Sequence, residues 1–233
     1  MTSSTRLARI TGILYLIVAV FGGFAEFFAR ATVYVPGDAT ATAANVVANS
    51  ELVRIGFVAD LVQTTVFLFV GFAFYLLLGH VNRNVARTMV IFVALSVAIQ
   101  SLNLLHQFMA LLVATSETYQ AALGSDASDA LVLLMLDMHH YGYLIAQMFF
   151  GLWLLPLGYL VYRSGIFPRA LGVLLAIGCA GYLVDMLAKF LVPEVAATLS
   201  PFVTMPAAVA ELAMVGWLLV KGVRIPGKVP VMA

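Results

Sequence analysis

At 233 residues, with 63% hydrophobic and 10% charged residues and a mean hydropathy of +1.05, the chain is too apolar for a soluble domain, which carries roughly 25% charged residues. The net charge of +1 excludes a basic nucleic-acid-binding surface, so no nucleic-acid partner is expected. Cys179 is the single cysteine, which excludes an internal disulfide.

A spanning helix needs roughly 20 mostly apolar residues. Six runs meet that need, at 8–29, 54–79, 87–114, 139–162, 169–191 and 202–221. The predicted fold is therefore an all-α polytopic membrane bundle, a single transmembrane domain over 1–233. Its partner is the lipid bilayer, and the sequence leaves the oligomeric state open.

In chain order, Arg6 and Arg9 stand at the start of the first run in the manner of a signal peptide. The run is longer than a signal core and carries Glu26, so it reads as a retained span. Pro36-Gly37-Asp38 through Ser50 follows, where Asp38 is placed to cap a short Ala/Thr-rich helix lying across the mouth of the bundle. Asn82-Arg83-Asn84 separates spans two and three. Thr115 through Asp129 separates three and four, Ser164-Gly165 with Pro168 separates four and five, and Pro193 through Pro201 separates five and six. Pro156 should kink span four.

Cationic residues fix the expected orientation. Arg6, Arg9, Arg83, Arg87, Arg163, Arg169, Lys221, Arg224 and Lys228 fall on one side of a six-span chain. Asp38, Glu51, Glu117, Asp126, Asp129 and Glu194 fall on the other. Both termini should be cytoplasmic, in the cell membrane. A faint repeat relates Arg9-Ile-Thr-Gly12 to Arg169-Ala-Leu-Gly172, and Glu26 with Arg30 to Asp185 with Lys189. A duplication of this kind would be parallel.

Ionisable residues inside a membrane are expensive and mark function by default. On the expected topology Glu26, Asp60, His106, Asp137, His139, His140, Asp185 and Lys189 fall in the outer half, and Glu211 nearer the middle. Ser96, Gln100, Asn103 and Gln107 recur at helical spacing and form one stripe. Lipid cannot satisfy such stripes, so they should face the bundle interior and line a polar pocket.

Three readings of that pocket stand side by side. An intramembrane enzyme on a lipid or lipophilic substrate would use Asp60, Asp137, His140 and Asp185 as catalytic groups. Zinc is its candidate cofactor, with His106 and His140 as ligands, because zinc takes His/carboxylate sets. A transporter or sensor would bind a small polar or cationic ligand from the outer side, with Glu26, Asn103, Gln107 and Glu211 as binding groups. A structural or partner-binding protein would use the same residues to hold helices together. Glu26/Arg30 and Asp185/Lys189 have the spacing of pairs that neutralise each other. No His-Glu-x-x-His, phosphate-loop or Gly-x-Ser-x-Gly motif is present.

Several segments carry a resemblance. They are Arg9-Ile-Thr-Gly12-Ile-Leu-Tyr-Leu, Val35-Pro36-Gly37-Asp38 through Asn45, Val81-Asn82-Arg83-Asn84, and His140 through Gly158. Tyr162-Arg163-Ser164-Gly165, Pro168-Arg169-Ala-Leu-Gly172, Gly181-Tyr182-Leu-Val-Asp185 and Glu211 through Gly222 complete the set. In this order over nearly the whole chain, they resemble the bacterial membrane family catalogued as a domain of unknown function, number four-three-eight-six. The resemblance implies a multi-span membrane protein and assigns no functional residue.

Overall fold

The computed structural model describes residues 3–223; Arg224 and Lys228, used above for orientation, lie outside the described residues. Among the described residues there is no strand, and six helices are long and apolar enough to cross a membrane. The chain is a multi-pass helical membrane protein.

The first span is α1 (Ser3–Phe24), a π-helical turn (Ala25–Arg30) and α2 (Ala31–Val33). A short helix α3 (Ala39–Ala48) leads into α4 (Ser50–Leu78) and α5 (Arg83–Thr115). After α6 (Glu117–Leu123) come α7 (Ser125–Leu152) and α8 (Leu154–Ser164), which together make the fourth span. Helices α9 (Arg169–Leu191) and α10 (Pro193–Val220) complete the set.

The expected caps and breaks have visible causes. The Asp38 carboxylate accepts from the Ala41 N–H at 2.9 Å and caps α3. The fourth span is interrupted at Trp153, three residues before Pro156, where the missing proline N–H removes a helical bond. Two connections differ from expectation. The stretch from Thr115 to Asp129 is largely helical and α7 begins at Ser125, about four turns before residue 139. Likewise α10 begins at Pro193 rather than at 202, because proline fits the first helical position, where its N–H is not needed. Pro201 and Pro206 lie inside that helix and do not end it.

The chain divides into two compact units. Among the described residues the first is 3–15, 69–92 and 151–223, and the second is 16–68 and 93–150. The core of the first unit includes the rings of Tyr15, Phe74 and Trp153, mutually edge-on at 5.8–6.0 Å between centroids. The second unit holds an apolar cluster built from Val33, Val46, Val53, Leu111, Val132 and Leu136, with Ala43, Ala110 and Ala114 filling between them. Large apolar side chains such as Phe27, Phe28, Leu76, Leu102 and Phe202 are exposed, as lipid-facing residues must be.

Candidate functional site

The second unit contains a polar network whose hub is Arg30. The turn that carries it is π-helical: the Ala31 N–H bonds to the Glu26 carbonyl, five residues back. Such turns are rare and concentrate at functional sites. Gly56 explains how α4 comes near this turn. A Cβ on residue 56 would lie 2.5 Å from the Ala29 Cβ, so only glycine permits the approach. Asp60, one helical turn beyond Gly56, then reaches Arg30.

The guanidinium is well engaged. Its Nε donates to Glu26 Oε2 at 2.9 Å. Its Nη1 lies 2.7 Å from Asp60 Oδ2, 3.2 Å from Gln107 Oε1 and 3.1 Å from His139 Nε2. Nη1 carries two hydrogens, so three acceptors share them. Nη2 makes no hydrogen bond among the described residues. The Arg30 and Asp60 side chains are 14% and 6% exposed, whereas Glu26 is 50% exposed. A buried charge requires a partner, and Arg30 and Asp60 provide it for each other. One guanidinium and two carboxyl groups give the cluster a formal charge of one negative.

His139 extends the network. A guanidinium only donates, so His139 Nε2 accepts, which places the ring proton on Nδ1. Nδ1 lies 3.3 Å from the Asn103 carbonyl, and Asn103 Nδ2 donates back to the His139 carbonyl at 2.7 Å. The His106 Nδ1 lies 3.1 Å from Asn103 Oδ1. This crossing of α5 and α7 depends on Gly142, where a Cβ would sit 2.0 Å from Asn103 Oδ1. Further along the same stripe of α5, Gln63 donates to Gln100 Oε1 at 3.3 Å and Gln100 donates to Ser96 Oγ at 2.8 Å.

A second set of contacts surrounds Tyr34. Its hydroxyl donates to Asp137 Oδ1 at 2.5 Å, and its ring lies 6.1 Å from that of His140. Burial and the Asp137 carboxylate raise the Tyr34 phenol well above its usual range.

Two small cavities adjoin Arg30. One, of about 10 Å³, is bounded by Arg30, Asp60, Asn103 and His139. The other, also about 10 Å³, has Val46, Val53 and Leu136 in its wall beside Arg30 and Gln107. Each has room for about one water. The wall residue Val46 belongs to α3, so α3 borders the cavity beside Arg30 and Gln107.

Of the expected site residues, Glu26, Asp60, Asn103, His106 and Gln107 join one network. Asp137 and His140 meet around Tyr34. Asp185 and Glu211 belong to the first unit and have partners of their own. Asp185 accepts from Lys189 at 3.0 Å and from the Ser200 hydroxyl. Glu211 accepts from Tyr15 at 2.6 Å and from Tyr182 at 3.1 Å.

The residues expected to hold zinc have other neighbours in the structure. Among the described residues no three His, Cys, Asp or Glu side chains converge as a metal set. His106 turns its Nδ1 to the Asn103 amide oxygen, and the His140 ring lies tilted beside Tyr34 and edge-on to Tyr141. The spacing of Arg30 with Glu26 signals a local pair, and the pair exists. That spacing carries no sign of the contacts to α4, α5 and α7, which make Arg30 the hub. His139, whose sequence position suits the membrane surface, is 3% exposed. Tyr34, Tyr15 and Tyr182 carry no signal of their own in the sequence, since a tyrosine among apolar residues reads as packing.

Comparison with known proteins places these residues in a family context. The profile of a family described as "Domain of unknown function (DUF4386)" matches residues 10–222. An uncharacterized protein of Archaeoglobus fulgidus is 36% identical over 78 residues, covering 34% of this chain and 44% of that relative. The match thus spans less than half of the relative's length. No solved structure matches the chain.

Proposed function

This chain belongs to the DUF4386 family, and we propose that it is a ligand-binding protein of the cell membrane, a transporter or sensor, whose site is the network around Arg30. The observation that carries this reading is a buried guanidinium with one nitrogen uncommitted, held on a π-helical turn between two carboxylates. Nη2 offers donors to an acceptor group, and half-exposed Glu26 offers an acceptor to a donor or cation. The net negative charge of the cluster disfavours an anion. The ligand class is therefore a small polar molecule, neutral or cationic. From the Lys/Arg asymmetry, α3 and this network face the outside.

The intramembrane enzyme reading has less support. Asp60 is committed to Arg30 and Asp137 to Tyr34, and no group in the network is poised as a nucleophile beside a base. The structural reading shares the same bonds and differs in its response to solutes.

The test uses nanodisc-embedded protein, thermal unfolding and a panel of small amines, amino alcohols and neutral polyols. A ligand at 100 times its Kd stabilises by roughly 2.7 kcal/mol. Wild type should gain stability with one solute class, and Glu26→Gln should lose that gain while its own unfolding temperature changes little. No gain from any class, with variants of the network changing stability alone, establishes the structural reading instead.

A further inference from the structure

We propose a second binding site, in the groove between α3 and the segment from α6 to the start of α7, for an organic cation: an ammonium group on a small apolar body. The groove has a volume of about 470 Å³ and lies wholly within the second unit. Small-molecule sites typically span roughly 300–1,000 Å³. It shares no lining residue with the two cavities at Arg30.

The two walls differ in chemistry. On the α3 side Ala43, Ala44, Val47 and Ala48 give an apolar surface with the exposed Thr40 beside it, and α3 carries no charged residue. Opposite them are Gln120, Ser128 and Asp129. The Gln120 side-chain N–H donates to the Ala114 carbonyl at 2.6 Å. Ser128 is 3% exposed, and its hydroxyl has no partner among the described residues. A helical serine ordinarily returns its hydroxyl to the carbonyl four residues back. Here the Gly124 carbonyl is taken by the Ser128 N–H alone. A buried polar group without a partner is destabilising, and a ligand that bonds it removes that cost.

Asp129, the next residue, is half-buried and makes no ion pair or hydrogen bond among the described residues. No Lys or Arg occurs between Thr115 and Ala130, where Glu117, Asp126 and Asp129 all lie. A carboxylate on the residue after an unused hydroxyl, both lining one groove with the apolar residues of α3, selects a positive group with a hydrocarbon body. The ammonium donates to Asp129 and Ser128, and the body covers Ala43, Ala44 and Val47.

The test is a titration of benzylammonium, benzyl alcohol and benzoate, three molecules of one shape and three charges. The full chain is held in phosphatidylcholine nanodiscs, and empty nanodiscs are subtracted. Benzylammonium should bind saturably and at least about tenfold more tightly than the alcohol, with benzoate weakest, as expected for a charge-assisted bond. Asp129→Asn should remove that preference. Val47→Phe, on the opposite wall at an exposed position, should remove binding of all three while leaving helicity intact. Equal binding of the three probes, or an unchanged preference in Asp129→Asn, overturns the proposal and leaves the groove as a lipid-filled crevice. The Arg30 reading is untouched by that result, because Glu26→Gln reports on it separately.

Discussion

Consider Asp60→Asn. The carboxylate is 6% exposed and lies 2.7 Å from an Arg30 side chain that is 14% exposed. Removing one member of a buried pair costs about 3–5 kcal/mol, because the other charge is stranded. The amide oxygen of asparagine still accepts from Nη1, and Glu26, Gln107 and His139 remain bonded. The expected loss is therefore at the low end, about 3 kcal/mol. At roughly 2–4 °C per kcal/mol for a chain of this size, the unfolding temperature should fall by roughly 6–12 °C. The assay is tryptophan fluorescence during heating in nanodiscs. A cycle with Arg30→Met, Asp60→Leu and the double variant separates the pair from its surroundings. The double variant should be less damaged than the two single losses summed, by at least about 1 kcal/mol. Additive losses, or a loss in Asp60→Asn below about 1 kcal/mol as for an exposed ion pair, would refute the placement of Arg30 as the hub.

Four further outcomes are expected. Gly142→Ala sets a Cβ 2.0 Å from Asn103 Oδ1 and should cost about 1–3 kcal/mol; adding Asn103→Ala should recover part of it, measured by the same unfolding assay. Tyr15→Phe leaves Glu211 Oε1 without its 2.6 Å donor and should cost about 1–3 kcal/mol, more than Tyr182→Phe, whose bond is 3.1 Å. Asp38→Ala removes the α3 cap, worth about 1 kcal/mol, and should speed amide hydrogen exchange over Ala39–Ala48 more than in α4. For topology, a cysteine at Asn84 should react with an impermeant maleimide only from the cytoplasmic side and one at Thr118 only from outside, buried Cys179 adding little background.

The spans are legible in the sequence because a bilayer demands long apolar runs, and no other use of such runs fits this composition. Their ends are less legible. The 125–138 stretch mixes Ser125, Asp126 and Asp129 with Leu131, Val132 and Leu134, so its polar start resembles a loop although it is the first turns of α7. Pro193 has the look of a stop, yet it opens a helix. In the candidate site, periodicity correctly groups Gln100, Asn103 and Gln107, since spacing along one helix is written in the sequence. Which helices exchange bonds is not. Arg30 with Asp60, Asn103 with His139 and Tyr34 with Asp137 are contacts between residues 30, 36 and 103 positions apart. The first two depend on close approaches that Gly56 and Gly142 allow. Gly216, which has only open space beside it, looks the same in an apolar stretch of sequence.

The π-helical turn has one more consequence, for how this segment tolerates insertion and deletion. Between Ala25 and Arg30 the first span holds one residue more than regular winding accommodates. Deleting Phe27, itself exposed, removes no bond of the network. It would let the turn relax to ordinary winding and, because the extra residue is the one removed, leave the segments on either side near their present faces. Removing one residue from regularly wound α1 would instead rotate what precedes the deletion by about 100°. Loss of a residue should therefore be far milder between Ala25 and Arg30 than within α1.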